Sequence, residues 1–521
     1  MPLRKENTVR KEESVTIKFP KKSLDKGPYK EPLYKRTQFI GLLLGPSLFV
    51  LTLLFFSPVG LSFEGTAVLA TTLWVATWWI TEAIPIPVAS LLPILLFPLT
   101  GALDTNTVTS AYGDSIIFLF LGGFLIALAM EKWNLHKRIA VTIIILVGTS
   151  TNRLILGFMV ATGFLSMWIS NTAAAMMMVP IGSAIIKQAS EAKDPRIGKI
   201  DYEENFSKSI MLGIGFSASI GGAGTLIGTP PNMILAGVVN QLYGVQISFG
   251  AWMVFAIPIV IVLMASTWLY LIKVAFPVKM KELPGGKELI SKQKSELGKI
   301  TYEEKMVLGV FLFAAFMWIT SSLIWQNFIP GLNDTMIALV AAGSLFLIPS
   351  LSKRGSFLLD WSSTKQLPWG ILLLFGGGLA IAAGFRDSGL AVWMGEQLTV
   401  LDGVSVIVVI LIVTIFVKFL TEITSNTATA TMIIPIMAAL AAAVGIHPYA
   451  LMFAATLSAS CAFMLPVATP PNAVVFASGY IKITDMARSG FWVNIISIAL
   501  IVMAVYFYLP LVWGLDLMST L

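Results

Sequence analysis

Long apolar stretches separated by short polar segments make up the chain from about residue 38 onward. A helix needs about 20 predominantly apolar residues to cross a bilayer, and many of these stretches approach that length. We therefore predict eleven membrane spans, at 39–56, 63–80, 84–100, 115–133, 209–239, 251–275, 305–325, 335–350, 367–386, 448–480 and 490–515. Two further apolar segments, 153–189 and 404–444, each contain a polar triplet near the middle. Each of them can form either two short spans or one re-entrant hairpin.

The composition supports an all-α polytopic membrane protein. Of the 521 residues, 56% are hydrophobic and 12% are charged, with a mean hydropathy of +0.83. A soluble protein of this length would contain about twice that charged fraction. The short alternating segments that are typical of transmembrane β-strands do not occur in the sequence. The single cysteine, Cys461, excludes an intrachain disulfide, and no Cys/His cluster has metal-binding spacing.

Charge predicts the orientation in the membrane. Residues 1–37 contain eleven Lys or Arg and five Asp or Glu, which favours a cytoplasmic tail against anionic lipid over a nucleic-acid-binding arm. With the N-terminus inside, the basic loops fall on the inner side and the loops without Lys or Arg on the outer side. We therefore expect a cell-membrane protein with a cytoplasmic N-terminus and an extracellular C-terminus, and no nucleic-acid partner.

Three sequence blocks recur in the same order. FLFLGGFLIALAM at 118–130 matches LLLFGGGLAIAAG at an offset of 254, and WISNTAAAMMMVP matches ITSNTATATMIIP at 255. LIGTPPNMILAG matches PVATPPNAVVFA at an offset of 240. Five spans separate corresponding blocks, so the two halves have opposite orientations, a design that is common in secondary transporters. The predicted organisation is a tail (1–37), N-terminal scaffold spans (38–110), a first repeat (111–275) with hairpin 153–189, a cytoplasmic loop (276–304) and a second repeat (305–515) with hairpin 404–444.

The repeated triplets, Ser-Asn-Thr at 170–172 and 425–427, are unusual inside apolar helices. Their side chains compete for backbone hydrogen bonds, yet they are favoured at helix N-termini. Each triplet therefore predicts a helix break followed by a new helix N-terminus, where free N–H groups and the helix dipole favour anions. Their side-chain oxygens and the free carbonyls before the break are ligands suited to Na⁺.

The Thr-Pro-Pro-Asn blocks at 229–232 and 469–472 predict a second pair of breaks. Two consecutive prolines supply no N–H groups, so carbonyls one turn earlier lose their helical partners. One such kink, like one polar triplet, is often only a packing feature. Because both motifs occur in both halves, we interpret them as a binding site near the middle of the membrane.

Few charged residues accompany these motifs. Lys418 precedes the second triplet by seven residues, and Glu422 is interpreted as a structural or cation-shell residue rather than a proton relay. Asp114 is interpreted as a helix cap. The sequence offers no nucleophile–base set and no Walker-type loop that a soluble domain could use, so we expect neither an enzyme nor an ATP-driven pump.

From about residue 38 onward, the paired triplets together with GTLIGTPPN and LPVATPPNA resemble the divalent-anion:sodium symporter family, and within it the bacterial sodium-dependent dicarboxylate transporters. The resemblance implies 11 membrane helices, two re-entrant hairpins with a triplet at each tip, an elevator mechanism and a homodimer. It implies a first sodium site at Ser166, Ser170, Asn171 and the Gly228 carbonyl, and a second at Thr421, Thr424, Asn426 and the Ala468 carbonyl. It implies substrate contacts from Asn171, Thr172, Thr229, Pro230, Asn426, Thr427, Thr469 and Pro470.

The expected function is import of C4 dicarboxylates with two or more Na⁺. Some relatives in this family exchange dicarboxylates without sodium and have altered cation-site residues, whereas the oxygen-bearing positions are retained here. The residues Thr172 and Thr427 fit small C4 substrates in this resemblance. A sodium-independent exchanger and a transporter for sulfate or another divalent anion remain the alternatives.

Overall fold

The computed structural model describes residues 34–191, 201–278, 286–353, 355–397 and 404–519. Nearly all of the predicted basic tail (1–37) lies outside this part of the chain. Within the described ranges the regular structure is helical, apart from one isolated β-bridge between Pro349 and Phe357. This agrees with the all-α class that the composition predicts.

Within those ranges there are 24 α-helices, three π-helical turns and a 3₁₀ turn. The α-helices of the N-terminal region and first repeat are α1 (Arg36–Phe55), α2 (Phe63–Thr81), α3 (Ile86–Ala89), α4 (Leu92–Thr100), α5 (Thr105–Tyr112), α6 (Ser115–Lys132), α7 (Leu135–Val147), α8 (Thr151–Ser166), α9 (Asn171–Glu191), α10 (Asp201–Gly222), α11 (Pro230–Tyr243) and α12 (Phe249–Tyr270). Those that follow are α13 (Gly286–Glu296), α14 (Tyr302–Thr320), α15 (Gln326–Phe328), α16 (Asp334–Leu345), α17 (Trp369–Asp387), α18 (Leu390–Gln397), α19 (Val406–Thr421), α20 (Asn426–Val444), α21 (Pro448–Ser460), α22 (Pro470–Ala477), α23 (Ile483–Met503) and α24 (Leu509–Trp513).

The helix order repeats along the chain. The series from α6 to α12 has a counterpart in the series from α17 to α23, in agreement with the three repeated sequence blocks. Asp114 caps α6 as predicted, because its carboxylate accepts the N–H of Ile116 at 2.9 Å. The assignment of residues 38–110 as a scaffold and the exact domain limits stay predictions.

Both predicted kinds of helix break are present. Each triplet segment is divided into two helices, α8–α9 and α19–α20, with the second helix of each pair starting at the asparagine. The predicted spans 209–239 and 448–480 are likewise interrupted, between α10 and α11 and between α21 and α22. In both cases the new helix starts at the first of the two prolines, where proline's fixed φ suits a helix start and its missing N–H has no intrahelical role.

Seven helical segments of the described chain are long and apolar enough to cross a membrane. They are Arg36–Phe55, Thr105–Lys132, Phe249–Ala275, Tyr302–Phe328, Trp369–Asp387, Asn426–Val444 and Ile483–Trp513. Segments 86–100, 334–345 and 406–421 are apolar but shorter, and the predicted span 84–100 is split into α3 and α4. The count of eleven spans with two re-entrant hairpins stays a prediction.

The two halves interlock through their broken helices. Helix α22 of the second half packs against α9 and α10 of the first half, and α11 packs against α20 and α21. Each hairpin is therefore in contact with the broken helix of the opposite repeat. This crossed packing brings two hairpin tips and two helix breaks, which are distant in sequence, to one place in the fold.

Candidate functional site

The two tips and the two Pro-Pro breaks line a single cavity of about 850 Å³. All residues singled out from the sequence as substrate or cation contacts line it, except Ser166 and Thr421, which lie directly behind its wall. The lining residues from that prediction are Ser170, Asn171, Thr172, Gly228, Thr229, Pro230, Thr424, Asn426, Thr427, Ala468, Thr469 and Pro470. The structure therefore joins elements that are about 300 residues apart in sequence, from position 170 to position 470.

Four helices begin at this cavity: α9, α11, α20 and α22. The first N–H groups of a helix have no intrahelical partner, and the aligned peptide dipoles place about half a positive charge at that end. Both effects favour bound anions at helix N-termini. A negatively charged solute in this cavity would meet four such ends without contacting a lysine or arginine from the tips or breaks.

The first oxygen cluster lies behind the α8–α9 tip. The Ser166 hydroxyl donates to the Ala218 carbonyl at 2.6 Å. The Asn171 amide faces the same group and can present either of its two terminal atoms. With Nδ2 turned inward, it donates to the carbonyls of Ala218 at 3.1 Å and Gly228 at 3.3 Å, and to Ser166. With Oδ1 turned inward, oxygens from four residues face one another with the Ser166 hydroxyl as their donor, an arrangement that a bound cation would stabilise.

The second cluster repeats this design behind the α19–α20 tip. The Thr421 hydroxyl lies 2.7 Å from Asn426 Oδ1 and 3.2 Å from the Ala459 carbonyl, and it is fully buried. As in the first cluster, a hydroxyl ends one helix, an amide begins the next, and a carbonyl comes from a third helix. The carbonyls of Ala218 and Ala459 were not singled out from the sequence, because a backbone oxygen has no side-chain signature.

Two of the predicted cation ligands, Ser170 and Thr424, form hydrogen bonds with residues close to them in sequence. Ser170 Oγ accepts the N–H of Ala173 at 3.2 Å, which is a helix-capping contact. Thr424 Oγ1 donates to the Leu420 carbonyl at 2.8 Å and lies 2.6 Å from the Thr429 hydroxyl. Both residues line the cavity, and their role as cation ligands stays a prediction.

The asparagines that end the two Pro-Pro motifs stabilise the breaks by donating hydrogen bonds to backbone carbonyls. The sequence analysis did not assign this role to them. Asn232 Nδ2 donates to the Thr225 carbonyl at 2.7 Å and to two further carbonyls of the first break. Asn472 Nδ2 donates to the carbonyls of Ala462 at 3.2 Å and Leu465 at 3.1 Å. Carbonyls released inside a membrane need such partners, because no water is present to replace the helical hydrogen bonds. The recurrence of Asn after both Pro-Pro pairs was the available signal.

Glu422 is tied to the second break. Its carboxylate accepts backbone N–H groups of Phe463 at 2.7 Å, Met464 at 3.0 Å and Leu465 at 3.3 Å, and the Asn494 amide at 2.7 Å. These four donors satisfy a carboxylate that is almost completely buried. These contacts give Glu422 a structural role, and the predicted cation-shell role stays a prediction.

The cavity wall also includes polar side chains from outside the tips and breaks. Lys35, Gln38, Glu82, Glu131 and Gln366 line it. Gln38 Nε2 donates to the Glu82 carbonyl at 3.1 Å, which ties α1 to the end of α2. Among the described lining residues Lys35 is the one lysine or arginine, so the tips and breaks contribute no full positive charge to the cavity wall.

Paired broken helices around one cavity define a multi-pass membrane transporter, together with the seven apolar helical segments of the described residues that are long enough to span a bilayer. The chain belongs to the family described as "Sodium:sulfate symporter transmembrane region", whose sequence model matches residues 36–515. The resemblance drawn from the triplets and Pro-Pro motifs is thereby confirmed.

Two curated relatives cover almost the whole chain. The sodium-dependent dicarboxylate transporter SdcS of Staphylococcus saprophyticus is 55% identical over 491 residues, covering 94% of each chain. SdcS of Staphylococcus aureus is 53% identical over 495 residues, covering 94% of this chain and 95% of the relative.

Solved structures with low sequence identity share the fold. The YdaH transporter of Alcanivorax borkumensis superposes with a TM-score of 0.57 at 13% identity, covering 81% of this chain and 89% of that one. MtrF of Neisseria gonorrhoeae gives a TM-score of 0.52 at 12% identity, covering 91% and 96%. At these identities the similarity concerns the arrangement of helices alone.

Proposed function

We propose that this protein is a sodium-coupled symporter that imports C4 dicarboxylates such as succinate, malate and fumarate. The single observation that carries the proposal is the cavity itself, in which four helix N-termini face one space and an oxygen cluster lies behind each hairpin tip. The names of the two SdcS relatives, which state sodium-dependent dicarboxylate transport, support the same function.

Electrostatics explains why cations and substrate would travel together. A dianion deep in a membrane protein needs compensating positive charge, and the tips and breaks supply only the partial charges of helix ends. Two Na⁺, one in each oxygen cluster, would neutralise the two negative charges of the substrate. A third Na⁺ would make transport electrogenic. Sodium binds first in this scheme, because a cation between the oxygens of a cluster fixes the tip whose N–H groups then meet the substrate.

The mechanism that we propose is an elevator movement in a homodimer. The hairpins and broken helices form the moving unit, and the N-terminal spans form the fixed scaffold. With the N-terminus in the cytoplasm, the part of the cavity wall beside the start of α1, which includes Lys35, lies toward the inside. In this orientation the C-terminus is extracellular, and the protein lies in the cell membrane.

Sulfate is the second candidate substrate, because the matched family is described as sodium:sulfate symporters. Sulfate and C4 dicarboxylates share a double negative charge and differ in length and in the separation of their oxygens. The side chains of Thr172 and Thr427 come from opposite halves and both line the cavity, which suits a solute with a carboxylate at each end.

The test is accumulation of radiolabelled succinate in proteoliposomes with an inward sodium gradient, compared with a potassium gradient of equal size. We expect uptake against the succinate gradient in sodium alone, inhibited by malate and fumarate more strongly than by sulfate or citrate. The variants Asn171→Ala and Asn426→Ala should each reduce this uptake to background. Both should keep the wild-type elution volume in size-exclusion chromatography, which shows that they are folded.

Three results would count against the proposal. Equal uptake with and without sodium into vesicles preloaded with dicarboxylate would indicate an exchanger. Stronger competition by sulfate than by malate would indicate a sulfate transporter. Full uptake by either asparagine variant would remove the assigned site from the mechanism.

A further inference from the structure

A buried lysine lies behind the second oxygen cluster. The Lys418 side chain has no solvent exposure, and its Nζ has no hydrogen-bond partner. The Nζ atom lies over the Phe463 ring, 4.9 Å from the ring centroid. A cation–π contact offsets only a small part of the cost of burying an isolated ammonium group.

The carboxylate that follows it in sequence is Glu422, which caps the C-terminus of α19 one helical turn beyond Lys418. Residues four apart share a helix face, so both side chains point toward the second break. Both side chains contact Phe463. The Lys418 ammonium lies over its ring, and the Glu422 carboxylate accepts its backbone N–H at 2.7 Å. The Glu422 carboxylate receives hydrogen bonds from three backbone N–H groups and from the Asn494 amide, so these donors face its oxygens.

The corresponding positions of the first repeat are occupied by uncharged residues. At the repeat offset of 255, Gly163 takes the place of Lys418 and Met167 takes the place of Glu422. The first break is instead held by neutral groups, including the Thr225 hydroxyl, which donates to the Met167 carbonyl. The two oxygen clusters are therefore alike in their immediate ligands but differ in the full charges behind them.

We propose that Lys418 is a positioning residue that weakens sodium binding at the second cluster by offsetting the charge of Glu422. This inference rests on the proposed function, since it concerns the affinity of the site for the coupled ion. Glu422 directly follows Thr421, so its negative charge attracts a cation in the cluster of Thr421 and Asn426. Lys418 cancels that attraction and so allows sodium to leave once the substrate has been released.

The sign of the effect follows from the charges. The variant Lys418→Met removes the ammonium group at similar volume and leaves Glu422 uncompensated, so the sodium concentration for half-maximal uptake should fall. One unit charge on the same helix as the cluster, at an effective dielectric constant of about 20, should change this sodium concentration by roughly tenfold. Glu422→Gln leaves the ammonium group uncompensated and should raise the same concentration.

The experiment measures the sodium dependence of succinate uptake for the wild type, Lys418→Met, Glu422→Gln and the double variant. A second measurement, sodium-dependent thermal stabilisation in detergent without substrate, reports binding independently of transport. We expect opposite shifts in the single variants and a return toward the wild-type value in the double variant. Lys208→Met is the matched control, because that lysine is buried but pairs with Glu204 and Asp485 away from the breaks.

The outcomes separate the inference from the proposed function. If the wild type shows no sodium-driven uptake, the proposed function fails, whatever the variants do. If the wild type transports and Lys418→Met leaves the half-maximal sodium concentration unchanged or raises it, the inference is overturned. If Lys418→Met does not fold, the comparison passes to Glu422→Gln, which must require more sodium than the electrically neutral double variant.

Discussion

The Thr421 hydroxyl lies 2.7 Å from Asn426 Oδ1 and joins the end of α19 to the start of α20 across the hairpin tip. Ser166 and Asn171 make the corresponding contact between α8 and α9. The contacts that shape each tip are thus made by the groups that would bind a cation. Occupation of a cluster and the geometry of its tip are therefore linked, because an ion replaces the internal hydrogen bonds of the same oxygens.

Removal of the buried hydroxyls tests this link. Ser166→Ala and Thr421→Ala each remove one oxygen from a cluster, and hydrogen bonds or ligands to charged groups contribute about 1.5–3 kcal/mol. We expect the sodium concentration for half-maximal uptake to rise roughly tenfold to a hundredfold. The measurement is initial succinate uptake at graded sodium concentrations.

Each hydroxyl variant has a control on its own helix. Thr162 and Thr414 are fully buried and donate to the carbonyls of Phe158 and Ile410, one turn earlier, each at 2.7 Å. Thr162→Ala and Thr414→Ala should therefore keep the wild-type sodium dependence. A shift as large in these controls as at the clusters would show that any buried hydroxyl has the effect, and the cluster assignment would be wrong.

Gly222 sets the position of the Asn171 amide. A Cβ atom at Gly222 would lie 2.5 Å from Asn171 Oδ1 and 3.0 Å from Nδ2, so the amide must leave the first cluster. We expect Gly222→Ala to abolish sodium-driven uptake while the protein remains folded, because the obstructed group is the end of a side chain. Gly309→Ala is the control, since nothing lies within 4 Å of its Cβ position and alanine is the better helix former. Sodium-driven uptake by Gly222→Ala at the wild-type level would show that the amide is not required in the cluster.

Asn472 should contribute to stability as well as to transport. Asn472→Ala leaves the carbonyls of Ala462 and Leu465 without their side-chain donor, at a cost of about 1–3 kcal/mol for each buried group. We expect a lower thermal midpoint in detergent and loss of uptake, and Asn472→Asp should behave in the same way because it also lacks the donor. Asn327→Ala, at an exposed site, should change stability by less than about 0.5 kcal/mol. Equal midpoints for both alanine variants would contradict the assigned role of Asn472.

Much of this architecture was predictable from local sequence. Helices α9 and α20 start at the triplet asparagines because small polar residues are preferred at helix N-termini. Helices α11 and α22 start at the first proline of each pair because proline has no N–H to offer inside a helix. The division of the predicted span 84–100 into α3 and α4 was missed. Hydropathy measures the length of an apolar run, and it does not report how the backbone turns within that run.

The sequence by itself determined where the helices break and that the breaks come in two related sets, because proline, asparagine and serine act on backbone within one helical turn. Tertiary structure alone decided which carbonyls complete each cluster, since Ala218 and Ala459 are chosen by the packing of α10 and α21 and not by any property of alanine. It also decided that Lys418 is enclosed behind only one of the two clusters. A charge on an apolar helix can face lipid, water or protein, and only the neighbouring helices determine which of these surrounds it.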